Sequence, residues 1–242
     1  MQTAFMDSLI QASETMSIDL SAHQLEQCAR FAQLLISRNK EMNLTSLVEP
    51  EEIAVKHFVD SFTCLDVGLW PEGCRAVDVG TGAGFPGIPL AILRPDMSWV
   101  LIEALRKRVA FVKEAAAELG LTQVHCLHVR AEDLGRDPAA RESFDVAVAR
   151  AVSRLPVLLE YCVPLVKVGG GFIAMKGPEV EEEMAEAQTA AKTLGVKAAA
   201  LKRLELPGGG GRRTLIWYQK VHPTPSAYPR RAGIAQKRPL GS

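Results

Sequence analysis

Residues 76–87, Ala-Val-Asp-Val-Gly-Thr-Gly-Ala-Gly-Phe-Pro-Gly, run from an apolar strand ending at Asp78 and Val79 into a glycine-rich turn, then into a helix that Pro86 can start. Few folds accept such a run. Gly80, Gly82 and Gly84 permit tight turning and close backbone approach, Pro86 suits a first helical turn that needs no N–H, and the helix N-terminus offers free donors to an anionic group. Glu103 follows the next apolar strand, residues 99–102, where a carboxylate can accept hydrogen bonds from ribose hydroxyls. The run predicts a cradle for a nucleotide-type cofactor at the carboxyl edge of a parallel sheet.

The rest of the chain supplies that sheet. Apolar runs predict strands at about 75–79, 98–103, 123–129, 144–149 and 170–175, with helices at about 86–93, 105–119, 154–163 and 178–194. Such alternation gives right-handed crossovers and a parallel sheet covered on both faces. Residues 196–206 and 214–220 read as a terminal antiparallel hairpin around Pro207 and the four glycines that follow it. Ahead of the sheet, Leu25, Cys28, Phe31, Leu34 and Leu35 recur at helical spacing behind Ser21, a good N-cap, and a second helix is expected over about 50–63. The expected organisation is an N-terminal helical cap (1–73), an α/β sheet domain of Rossmann-like type (74–221), and a basic tail (222–242) that its four prolines keep mostly extended.

At 242 residues, 48% of them hydrophobic, the chain can bury a full core. It has no apolar run of the roughly 20 residues a membrane span needs, and no basic-then-apolar leader, which predicts a cytoplasmic protein that does not meet the membrane. Five widely spaced cysteines, without a Cys-x-x-Cys pair, read as buried thiols rather than a disulfide framework or zinc site. The net charge of zero conceals a polarity. Basic and acidic residues number 4 and 10 in 1–70, 14 and 17 in 71–195, and 10 and 1 in 196–242. A basic end on an acidic body suits a polyanionic partner, and reads equally as a solvated tail.

Gly82 to Gly87 fits the G-x-G-x-x-G pattern of dinucleotide enzymes, so a dehydrogenase is one reading. However, Gly80 lies two residues before that pattern begins, and the spacing Asp78-x-Gly80-x-Gly82-x-Gly84 is that of S-adenosylmethionine methyltransferases. Longer stretches sharpen the comparison: Asn43-Leu44-Thr45, Lys56 to Ser61, Asp78 to Pro89, Lys107-Arg108 with Phe111-Val112, Ala131-Glu132, Ala149-Arg150-Ala151, Met175-Lys176-Gly177 and Tyr228 to Gly233. Over nearly its whole length the chain resembles the bacterial small-subunit ribosomal RNA methyltransferase G family, also called glucose-inhibited division protein B. The resemblance implies a class I S-adenosylmethionine-dependent fold, a seven-stranded mostly parallel sheet, and methylation of guanine N7 at position 527 of 16S ribosomal RNA. The partner is then that RNA or the small ribosomal subunit, met by a monomer. A ribosome-assembly factor that binds RNA and retains the donor pocket without turnover is the alternative.

In that frame Asp78 and the loop Gly80, Gly82 and Gly84 hold the methionine portion of the donor, with the Asp78 carboxylate on the ammonium. Glu103 takes the ribose. By resemblance Phe85 contacts the donor, Ala131 and Glu132 lie near the adenine, and Arg150, at the carboxyl end of the fourth strand, contacts the donor, a phosphate or the target guanine. Lys176, Arg212, Arg213, Lys220, Arg230, Arg231, Lys237 and Arg238 are expected to face RNA phosphates. Guanine N7 carries a free lone pair and loses no proton on methylation, so no general base is required; His57 is expected to position neighbours. His125 and His128 point to opposite faces of one strand and cannot share a metal, and no metal site is expected.

Overall fold

The computed structural model describes residues 2–241. Helices α1 (Gln2–Thr15) and α2 (Ala22–Met42) come first. Ser21 caps α2 through a reciprocal capping box with Gln24. The helix expected over 50–63 is one continuous but irregular coil of changing pitch: α3 (Pro50–Ile53), a wide turn over Ala54–Val59, α4 (Asp60–Phe62) and a tight turn over Thr63–Asp66. Wide turns of this type bulge a helix and tend to occur at functional sites; this one carries His57 and leads into Asp60.

The sheet then runs β1 (Arg75–Val79), β2 (Ser98–Glu103), β3 (Val124–His128), β4 (Phe144–Arg150), β5 (Val166–Lys176), β6 (Val196–Leu206) and β7 (Gly211–Lys220). Its spatial order is β3-β2-β1-β4-β5-β7-β6. Strands β1 to β5 pair in parallel, and β7 lies antiparallel between β5 and β6. The intervening helices are α5 (Gly87–Leu93), α6 (Arg106–Glu118), α7 (Ala131–Leu134), α8 (Leu155–Cys162) and α9 (Glu181–Leu194). Strand order reverses where β1 gives way to β4, the crevice at which open α/β sheets bind ligands.

Alternation along the strands divides the core into two layers. From β1, Ala76 joins Phe31, Phe58, Phe85 and Ile88 on one face, whereas Val77 and Val79 join Leu158, Leu194 and Phe172 on the other. The N-terminal helices therefore share a core layer with α5 and α6. All five cysteines are free and buried. No helix among the described residues is long and apolar enough to cross a membrane.

The tail differs from the solvated reading. It is irregular apart from α10 (Ile234–Lys237), yet it is fastened to the body. Arg141 donates to the carbonyls of Thr224 and Tyr228 at 2.7 and 2.6 Å, and Arg136 to that of Pro229 at 2.8 Å. The Arg230 guanidinium grips the fully buried Glu160 at 2.5 Å, and Ala235 is buried. Arg230, expected to face phosphates, is instead an internal anchor. Lys220 is likewise corrected: 1% exposed, its ammonium donates to Glu142 and to the carbonyls of Val163 and Val166, because a buried ammonium must be surrounded by acceptors.

Candidate active site

The glycine loop is drawn onto the end of β2 by two bonds to one carbonyl. The amides of Gly80 and Thr81 both donate to Ile102 O, at 2.9 and 3.0 Å. Gly80 and Gly84 have φ of +72° and +93°, where side chains strain the backbone. Space also demands glycine: a Cβ on Gly80 would meet Val152 at 2.7 Å, and one on Gly84 would meet Ile88 at 2.9 Å. Glu103, only 7% exposed, closes the loop from the β2 side. Its two carboxylate oxygens accept from the amides of Gly82 at 3.1 Å and Leu105 at 2.9 Å. Above this floor lies a cleft of about 280 Å³ lined by Gly80, Glu103, Ala131, Glu132, Val152 and Tyr161. Tyr161 carried no local signal of a site. Burial, then the charges of Glu132 and Glu160, push its phenol up to about 12, so it stays a proton donor in the physiological range.

Glu132 is buried at the far wall of the cleft, and its Oε1 accepts from the amide of Gly233 in the tail at 3.0 Å. The tail thus reaches the cleft through Glu132 of α7, the residue that the family resemblance placed near the adenine.

Of the expected donor contacts, Gly80, Glu103, Ala131 and Glu132 line this cleft, whereas Asp78, Gly82, Gly84, Phe85 and Arg150 do not. Asp78 is 0% exposed and faces the interior below the loop, where Oδ2 accepts from Gly87 N at 2.8 Å and so caps α5. Oδ1 has no partner among the described residues. Burial pushes this carboxyl up to about 6. Its alternation on β1 turns it away from the cleft, so it supports the loop from beneath rather than meeting an ammonium within the cleft. Phe85 is also turned inward: its ring packs 5.1 Å from Phe31 and stacks at 4.4 Å on the imidazole of His57.

Beyond β4 lies a second cleft, of about 470 Å³, lined by Thr45, His57, Asp60, Arg150, Lys176 and Arg213. Arg150 belongs here. Its Nη1 donates at 3.1 Å to Asp60 and to Lys56 O, its Nη2 donates at 3.1 Å to His57 Nδ1, and its guanidinium lies 5.1 Å from the centre of the Phe85 ring. Arg213 donates to the other Asp60 oxygen at 3.0 Å. Lys176 pairs with Glu183 at 2.7 Å and donates to Ser153 O at 3.1 Å. Burial and the neighbouring Arg150 charge hold His57 down to about 3, so the ring is neutral at physiological pH. Asp60 was within a recognised motif, but its part as the carboxylate joining two arginines was not visible in sequence. Among the described residues Arg212, Arg231, Lys237 and Arg238 are exposed and enter no ion pair.

The two clefts meet at Ala151, which lines both and holds the left-handed conformation at φ +55° without being glycine. A non-glycine residue in this region costs backbone energy and marks a constrained junction.

A family model described as rRNA small subunit methyltransferase G matches residues 24–215. This chain belongs to that family. Relatives named ribosomal RNA small subunit methyltransferase G agree along nearly their whole length: that of Desulforamulus reducens is 45% identical, covering 96% of this chain and 97% of its own, and that of Desulfitobacterium hafniense is 47% identical, covering 94% of each. Solved structures share the sheet at much lower identity. TrmN from Thermus thermophilus superposes with a TM-score of 0.53 at 20% identity, over 66% of this chain and 48% of that one. A geranyl diphosphate C-methyltransferase from Streptomyces coelicolor, solved with S-adenosyl-L-homocysteine, gives 0.52 at 15% identity, over 67% and 79%. The fold is the Rossmann-like class I methyltransferase fold, with its seven strands and terminal hairpin.

Proposed function

We propose that the protein transfers a methyl group from S-adenosylmethionine to N7 of a guanine in 16S ribosomal RNA, with the donor in the first cleft and the acceptor base in the second. The observation that carries this reading is the meeting of the two clefts at Ala151, beside the glycine loop, in a chain of this family. Glycines whose added Cβ would collide, and a buried carboxylate at the end of β2, suit a donor's amino-acid and ribose portions. When bound, the donor supplies a methyl group already activated on a sulfonium.

The chain's own work is positional. Gly80 gives the donor close approach to a rigid strand end and Glu103 presents a carboxylate there, while the amides of Gly80 and Gly82 hold the loop in place through Ile102 O and Glu103; Ala131 and Glu132 form the adenine side, and Tyr161 covers it. Arg150, Asp60 and Arg213 form a fixed polar wall for the acceptor. Ordering two reactants in line can supply about 7–11 kcal/mol of a barrier in favourable cases. His57, neutral and bonded through both ring nitrogens, moves no proton, in keeping with an acceptor nitrogen that has none to lose. The exposed Arg212, Arg231, Lys237 and Arg238 are the cations left for RNA phosphates, and Lys176 and Arg213 flank the acceptor cleft. In this account the helical region 1–73 walls the acceptor cleft through Thr45, His57 and Asp60, region 74–221 supplies the donor cleft, and the tail braces Glu132.

Calorimetric titration with S-adenosylmethionine and with NAD, followed by methyl transfer to small subunits, tests the proposal. Binding of the methyl donor alone, with turnover, is expected. Donor binding without turnover favours the assembly-factor alternative.

A further inference from the structure

The proton inventory around His57 fixes the direction of one hydroxyl in the second cleft. Every nitrogen of an arginine is a donor, so the 3.1 Å contact from Arg150 requires a lone pair on Nδ1 of His57. The ring is neutral, and its single proton therefore sits on Nε2. Nε2–H donates to Oγ1 of Thr45 over 2.8 Å, and the amide of Leu47 donates to the same oxygen over 3.1 Å. Both acceptor positions of that hydroxyl are filled. Its own proton has no acceptor among the described residues, and Thr45 lines the cleft. The backbone cannot swing away, because the Asn39 side chain bonds Thr45 twice, to its carbonyl and to its amide, each at 2.9 Å.

We infer that the Thr45 hydroxyl is an obligatory donor that reads O6 of the acceptor guanine, with His57 and Arg150 as the positioning residues that keep it a donor. Guanine presents O6 as an acceptor beside N7, whereas adenine presents an amine there, and a hydroxyl that can only donate accepts the first and opposes the second. An unconstrained hydroxyl would rotate and serve either base. Donation to O6 also leaves the N7 lone pair free to take the methyl group. This inference rests on the second cleft being the acceptor site.

The test uses small ribosomal subunits reconstituted with 16S RNA that carries, at the acceptor position, either guanine or 2-aminopurine, which lacks O6 and with it the N1 proton but keeps N7. Single-turnover methyl transfer is measured for the wild type, Thr45→Val and Thr45→Ser, with donor affinity measured by calorimetry. Thr45→Val should lower the guanine rate about tenfold or more, leave any 2-aminopurine rate at the wild-type value, and leave donor affinity unchanged. Thr45→Ser should restore the guanine rate. An equal loss on both bases, a Thr45→Val protein as fast as wild type on guanine, or a wild type equally fast on both bases would each overturn the inference. A wild type inert on guanine-bearing subunits would instead refute the proposed function.

Discussion

Replacing Arg230 with alanine should unfasten the tail and disturb the donor cleft in one step. Glu160 is fully buried, and Arg230 gives it four donations: Nε at 2.9 and 3.1 Å, Nη2 at 2.5 Å and the backbone amide at 2.8 Å. Truncation leaves a carboxylate in the interior with only the amide. Breaking a buried pair from one side costs about 3–5 kcal/mol, and the surviving amide puts this case near about 3 kcal/mol. That is a large share of the roughly 5–15 kcal/mol by which a domain is stable, and corresponds to a melting temperature lower by roughly 6–12 °C. Three residues on, Gly233 would lose its hold on Glu132, and donor affinity should fall about fivefold. Urea unfolding and donor calorimetry on Arg230→Ala measure both effects. The double variant Arg230→Met with Glu160→Leu should regain part of the stability, since matched apolar groups replace a buried pair at little cost but leave the amide of residue 230 without its acceptor. Unfolding within about 0.5 kcal/mol of wild type for Arg230→Ala would show that the pair holds nothing and that the tail is an appendage.

Gly82→Val, at φ +59° and donating to Glu103, should lower donor affinity more than about tenfold, whereas Gly120→Ala, at φ +68° in open space, should cost only about 1 kcal/mol of stability and leave calorimetric affinity alone. Lys220→Met should destabilise by about 2–3 kcal/mol in urea while leaving the salt dependence of RNA affinity unchanged; a shallower slope would return this lysine to the RNA surface. The Asp78 carboxyl is held above its ordinary value, at about 6, so the stability it contributes is present below about pH 4 and lost as pH rises through 6. Asp78→Asn should therefore gain on the wild type between about pH 4 and 6 and run parallel above 7, and parallel curves throughout would contradict the buried ionisation. The chemical step should be flat from about pH 6.5 to 8.5 for wild type, because His57 stays neutral there and no catalytic proton moves; a single-turnover rate rising tenfold per pH unit would sink this.

The sheet was legible because its strands are short apolar runs bounded by turn residues, and the hairpin because four glycines interrupt two extended runs. The glycine loop and Glu103 were legible because their spacing is local to one strand-turn-helix unit. Which face Asp78 takes was less so: a residue at a strand end can meet a ligand above or cap a helix below, and only the position of α5 decides. The tail was misjudged because its partners, Arg136, Arg141, Glu142 and Glu160, lie some 70 to 93 residues away, and long-range charge pairing leaves no periodic trace. Asp60 and Thr45 share that difficulty: each falls within a stretch that carries the family resemblance, yet its partners show only where β4 brings Arg150 beside the irregular helix.

The central claim is a methyl group on guanine N7, and N7-methylguanine has its own chemical signature: reduction followed by aniline treatment cleaves the RNA chain at that base. Small subunits from cells lacking the gene, incubated with the purified protein and radiolabelled S-adenosylmethionine, should take up one label per 16S RNA and give one new cleavage at a guanine. Label that enters the RNA without creating a cleavage site, or no label at all despite donor binding, would contradict the account.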